Sequence, residues 1–104
     1  MTLPPTEGAG ETLLSREMGC TREEFLRWLP GATRHATMQM HADKALVQAG
    51  RAQIEISFVP APPRRIALVA MPVLKVSFRF SGADAEAYRE FLVYFDLYTK
   101  RGGG

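Results

Sequence analysis

One cysteine, two histidines and one tryptophan are all that this 104-residue chain has of those types. A single thiol, Cys20, makes no internal disulfide, so the fold does not depend on one. Two histidines, His35 and His41, are too few to build a metal centre without carboxylate or thiolate help at ligand spacing. No apolar run approaches the ~20 residues of a membrane-spanning helix. Net charge is also small: 13 Lys and Arg balance 11 Asp and Glu, for a net +2. That is too little to name a nucleic-acid or membrane partner, and only Arg64-Arg65 and Lys100-Arg101 are adjacent basic pairs. No phosphate-binding glycine loop, dinucleotide fingerprint or HExxH motif occurs.

What remains is an ordinary composition for one globular domain, with 46% apolar residues. The segment 1–20 opens with no Lys or Arg and holds no stretch long enough for a secretory signal core, so a cytoplasmic location is expected. Pro4, Pro5, Gly8 and Gly10 make residues 1–20 read as a flexible tail, leaving one domain at 21–101 and a flexible glycine tail at 102–104.

Thr21-Arg22-Glu23-Glu24 matches a capping box and starts a short helix with Phe25, Leu26, Trp28 and Leu29 on its apolar side, stopped by Pro30-Gly31. From Thr33 the apolar period falls to two. Arg34–Ala42 reads as a strand, Ala42-Asp43-Lys44 as a turn, Ala45–Gln48 as a second strand, and Ala49-Gly50 as a hairpin into Arg51–Val59. Pro60-Ala61-Pro62-Pro63 reads as an exposed turn, and Arg64–Ser81 as one long strand bent at Pro72, favoured over two strands joined by a three-residue apolar loop. Ser81, with Asp84 three residues on, caps a final helix whose buried stripe is Tyr88, Phe91, Leu92 and Phe95. The expected architecture is α+β: an antiparallel sheet of four to five strands with a short N-terminal and a longer C-terminal helix packed on one face.

Chemistry is hard to place on this frame. Cys20 stands just before a helix start, where the dipole can lower a thiol's pKa, but it has no partner cysteine. His35 and His41 share a strand face ~20 Å apart, too far for one metal. Met38 and Met40 point away from His41, which leaves them as core fillers. No metal and no cofactor is implied, and the sequence leans away from an enzyme. Three surfaces stand out. At Ala67, Val69, Met71 and Val73 the strand alternation fails and both faces are apolar, which marks a self-association or apolar-ligand patch. A pocket between sheet and helices would draw on Trp28, His35, His41, Tyr88, Phe91 and Tyr94. Arg64, Arg65, Lys75 and Arg79 could meet an anionic partner, although their face has no aromatic residues for base stacking. The expected function is a non-enzymatic binding or accessory module acting as a homodimer. The alternatives are a small-molecule-binding protein or enzyme using the pocket, or a weak nucleic-acid binder through the basic sheet edge at Arg64, Arg65, Lys75 and Arg79; a small apolar ligand or a protein partner could also occupy the apolar patch. Membrane contact is not expected and nucleic acid is disfavoured.

Overall fold

A computed structural model of the chain describes residues 12–100; the tail expected before residue 12, Arg101 and the glycine tail at 102–104 lie outside the described residues. The elements run β1 (Thr12–Met18), α1 (Arg22–Ala32), β2 (Thr37–His41), β3 (Lys44–Ala49), β4 (Ala52–Ile66), β5 (Val69–Ser81) and α2 (Ala85–Lys100). All five strands join one antiparallel sheet in the order β1-β5-β4-β3-β2. The α+β architecture expected from the sequence is therefore present, with both helices on one sheet face.

That face is set by alternation. Ala52, Ile54, Ile56 and Phe58 of β4 and Leu74, Val76, Phe78 and Phe80 of β5 all point inward and are buried. Their register pairs Ile54 with Phe80, Ile56 with Phe78 and Phe58 with Val76, so the two central strands build one continuous apolar floor. Phe25 of α1 lies 5.1 Å from the Phe58 ring, and Phe95 of α2 meets Phe78 edge-on at 5.2 Å. Tyr88 stacks on Phe80 at 4.9 Å and accepts the Ala83 N–H on its hydroxyl. Aromatic rings thus carry both helix–sheet contacts.

Several boundaries differ from the sequence expectation. Residues 12–18, read as tail, form the edge strand β1 against β5, with Leu14 opposite Phe78 and Arg16 opposite Val76. Its pattern is weak because only half its positions are covered: Leu14 and Met18 pack on the core while Leu13 is exposed. The capping box forms as expected, Thr21 Oγ1 accepting from Glu24 N–H and Glu24 Oε1 from Thr21 N–H. The helix does not stop at Pro30-Gly31, however, but continues through them to Ala32. Thr33 Oγ1 donates back to the Leu29 carbonyl at 2.9 Å, and Gly31 leaves the space that the Tyr98 side chain of α2 fills. β2 starts at Thr37 rather than Arg34, because Arg34 and His35 finish α1 instead. Asp84, not Ser81, caps α2: its Oδ1 accepts the Ala87 N–H at 2.9 Å.

The largest difference concerns residues 60–73. There is no turn at Pro60–Pro63 and no single strand over 64–81. β4 runs through the prolines to Ile66, turns at Ala67-Leu68, and returns as β5 from Val69. Ala67 takes φ +55° to close that turn. Prolines are tolerated here because β3 accompanies β4 only as far as Ser57, so beyond it β4 has an open side that needs no ladder bond. Parity explains why the hairpin is hidden. A two-residue turn swaps the inward phase, and the extra residue of the bulge between Ala61 and Arg64 swaps it back.

Candidate functional site

β4 and β5 leave their neighbours behind at different points. The last β3 partner of β4 is Ser57, and the last β1 partner of β5 is Leu74. Phe58 N–H is held by the Asp43 carbonyl at 2.9 Å, β1 stays beside β5 as far as Leu74, and from the Ala61–Val73 pair onward the two strands project as a ribbon paired only with each other. β4 alone, at 15 residues, is about 50 Å long, and the described chain measures 51 × 29 × 25 Å.

Residues directly opposite in an antiparallel pair share a face. On the arm this groups Ala61 with Val73, Arg64 with Met71 and Ile66 with Val69, continuing the outer side of the sheet at Val59. Apart from Arg64 that face is apolar and largely uncovered, with Val69 59% and Ile66 56% exposed, and Leu68 at the tip is fully exposed. Three of the four patch residues expected from the sequence, Val69, Met71 and Val73, therefore lie together on one face. The fourth, Ala67, belongs to the turn. Ile66, Leu68 and Val59 were missed, since only a hairpin reading brings β4 residues beside β5 ones. At the arm's base Arg64 donates to Glu17 Oε1 at 3.0 Å, tying the ribbon to β1.

The basic residues are not gathered. Arg65 opposes Ala70 on the other arm face from Arg64, Lys75 stands opposite Glu17, and Arg79 stands opposite Glu55. Glu55 also pairs with Lys44 at 3.0 Å. The outer-face cations thus share carboxylates, Glu17 lying between Arg64 and Lys75 and Glu55 between Lys44 and Arg79.

The expected pocket is divided. His35, Phe91 and Tyr94 line an open cleft of about 560 Å³ between the end of α1, the β3–β4 turn and α2. Tyr88 is buried in the core, Trp28 lines a separate hollow with Cys20 and Asp96, and His41 is exposed at the end of β2. The cleft residue that sequence reasoning missed is Arg34, whose guanidinium lies over the Tyr94 ring at 4.1 Å. Arg34 and His35 both adopt left-handed backbone, with φ +56° and +59°. Their N–H groups close the helix on the Gly31 and Pro30 carbonyls at 3.0 and 2.7 Å, the pattern of a Schellman motif. Glycine usually holds the first of those positions; a side-chain-bearing residue there costs about 1 kcal/mol.

Cys20 is 1% exposed, and burial, with the nearby Glu24 carboxylate adding to it, pushes its thiol up from 9.0 to about 11. The helix start thus does not activate it. Among the described residues no group of three or more His, Cys, Asp or Glu side chains comes together as a metal site, and no helix is long and apolar enough to cross a membrane. Compared with known proteins, the chain matches no family model, no curated protein and no solved structure.

Proposed function

We propose that this chain is a non-enzymatic binding module that self-associates through the outer face of its β4–β5 arm. The supporting observation is the apolar row Val59, Ala61, Val73, Met71, Ile66 and Val69 on one side of a ribbon, interrupted by Arg64 and touched by the described chain only near its base, so that Val59, Met71, Ile66 and Val69 stay exposed. An isolated two-stranded hairpin is marginal in water, and an uncovered apolar one doubly so. A second copy answers both deficits. Two arms related by a two-fold axis present the same apolar row to each other, so the contact is self-complementary and closed. The open sides of the ribbon also offer unpaired backbone groups for a four-stranded sheet.

The test is Val69→Glu. Val69 sits opposite Ile66 next to the arm tip, away from the core, so the variant folds. A carboxylate forced into the apolar contact costs roughly 3 kcal/mol, which raises the dimer dissociation constant by about a hundredfold. Sedimentation at matched concentrations should show Val69→Glu shifted to monomer with an unchanged circular dichroism spectrum. Equal association of variant and wild type would remove the arm from the interface.

A further inference from the structure

At the opposite end of β4 from the arm, the cleft beneath Arg34 carries a separate inference. Its volume, about 560 Å³, lies within the usual range for small-molecule pockets. The floor is made of short side chains, Ala36, Ala49, Ala52 and Ala87, with the Phe91 ring beside them. Such a floor leaves room for a flat apolar body. Above it Arg34 is held in two ways: its backbone closes the helix-ending turn, and its guanidinium carbon lies over the Tyr94 ring, 4.1 Å from the centroid. Among the described residues no carboxylate forms an ion pair with it, although Glu90 lines the same cleft.

A guanidinium stacked on an aromatic ring keeps its edge free, and that edge matches the two oxygens of a carboxylate. The backbone adds an independent pointer. Glycine is the residue this turn favours, yet two consecutive side-chain-bearing residues occupy it, and both line the cleft. Local strain of this kind concentrates where a site needs the side chains.

We propose that this cleft binds a small organic carboxylate with a flat apolar body, the carboxylate on the Arg34 edge and the body on the alanine floor against Phe91. Glu90 lines the same cleft and adds a negative charge there, so additional negative charge on the ligand is disfavoured. The binding does not depend on the arm, because the two sites stand at the two ends of one strand.

The experiment is an amide-resolved NMR titration of the whole protein at constant ionic strength, with benzoate, benzamide and inorganic phosphate as probes. Benzoate is expected to move the signals of Arg34, His35, Thr37 and Gly50 in a saturable way. Benzamide, which keeps the ring and loses the charge, should bind about tenfold or more weaker, as should phosphate, which lacks the ring. Arg34→Gly fits the left-handed backbone, so it preserves the fold, and it should weaken benzoate binding by roughly the same factor. Absence of a saturable benzoate shift at these residues would overturn the proposal. So would equal binding by Arg34→Gly, or phosphate binding as tightly as benzoate.

Discussion

Gly82 and Gly31 both sit where a methyl group has no room, but the obstacles differ in kind. At Gly82 φ is +88° and an added Cβ would lie 2.5 Å from the Arg51 carbonyl oxygen, which is backbone and does not yield. Gly82→Ala should therefore destabilise by about 2 kcal/mol or more, lowering the melting temperature by roughly 10 °C. At Gly31 the obstacle is the far end of the Tyr98 side chain, which can swing away, so Gly31→Ala should cost clearly less in the same thermal melt. Cys20 gives a test of burial. Its thiol is covered and its pKa stands at about 11, so alkylation at pH 8 should require unfolding. The unfolded thiol ionises near 9.0 while the folded one keeps its proton to about 11. Raising the pH through that window favours the unfolded chain, and stability falls. Urea midpoints at pH 8 and pH 10 should drop further for wild type than for Cys20→Ala; equal drops would show that the buried thiol makes no difference.

Among the elements, helices and inner strands were legible in the sequence and the arm was not. Thr21–Glu24 and the Tyr88, Phe91, Leu92, Phe95 stripe announce α1 and α2 because their signals are local. The even-numbered row from Ala52 to Phe58 and from Leu74 to Phe80 announces the core face for the same reason. The arm is hidden because its turn and its bulge cancel in phase, leaving an unbroken even-numbered pattern across a reversal of direction. β1 is hidden because an edge strand half covered has little pattern to show. The Arg34 cleft was out of reach for another reason: left-handed backbone at Arg and His has no sequence mark, since glycine is what normally signals it. If the arm is an appendage rather than a support, the body should fold without it. Replacing residues 61–73 by Asn-Gly joins Pro60 to Leu74, which already face each other, through a tight hairpin turn. The shortened chain should keep its circular dichroism spectrum and lose self-association; a chain that unfolds would show that the arm supports the core.

For the whole molecule, the two proposed sites divide one sheet between them. The body packs its core on one side of β4 and β5, and the strands then extend past every neighbour to carry an apolar row into water. Isolated apolar side chains on a surface are common, but a contiguous row on a protruding ribbon marks a contact. An interface of this composition depends weakly on salt, whereas one built on Arg64, Arg65, Lys75 and Arg79 would weaken steeply as salt rises. The most direct measurement is the molar mass of the wild-type chain by light scattering across micromolar concentrations, at low and high salt. Self-association through the arm predicts about twice the 11.6 kDa chain mass at both salt levels. A mass of 11.6 kDa at every concentration would contradict it.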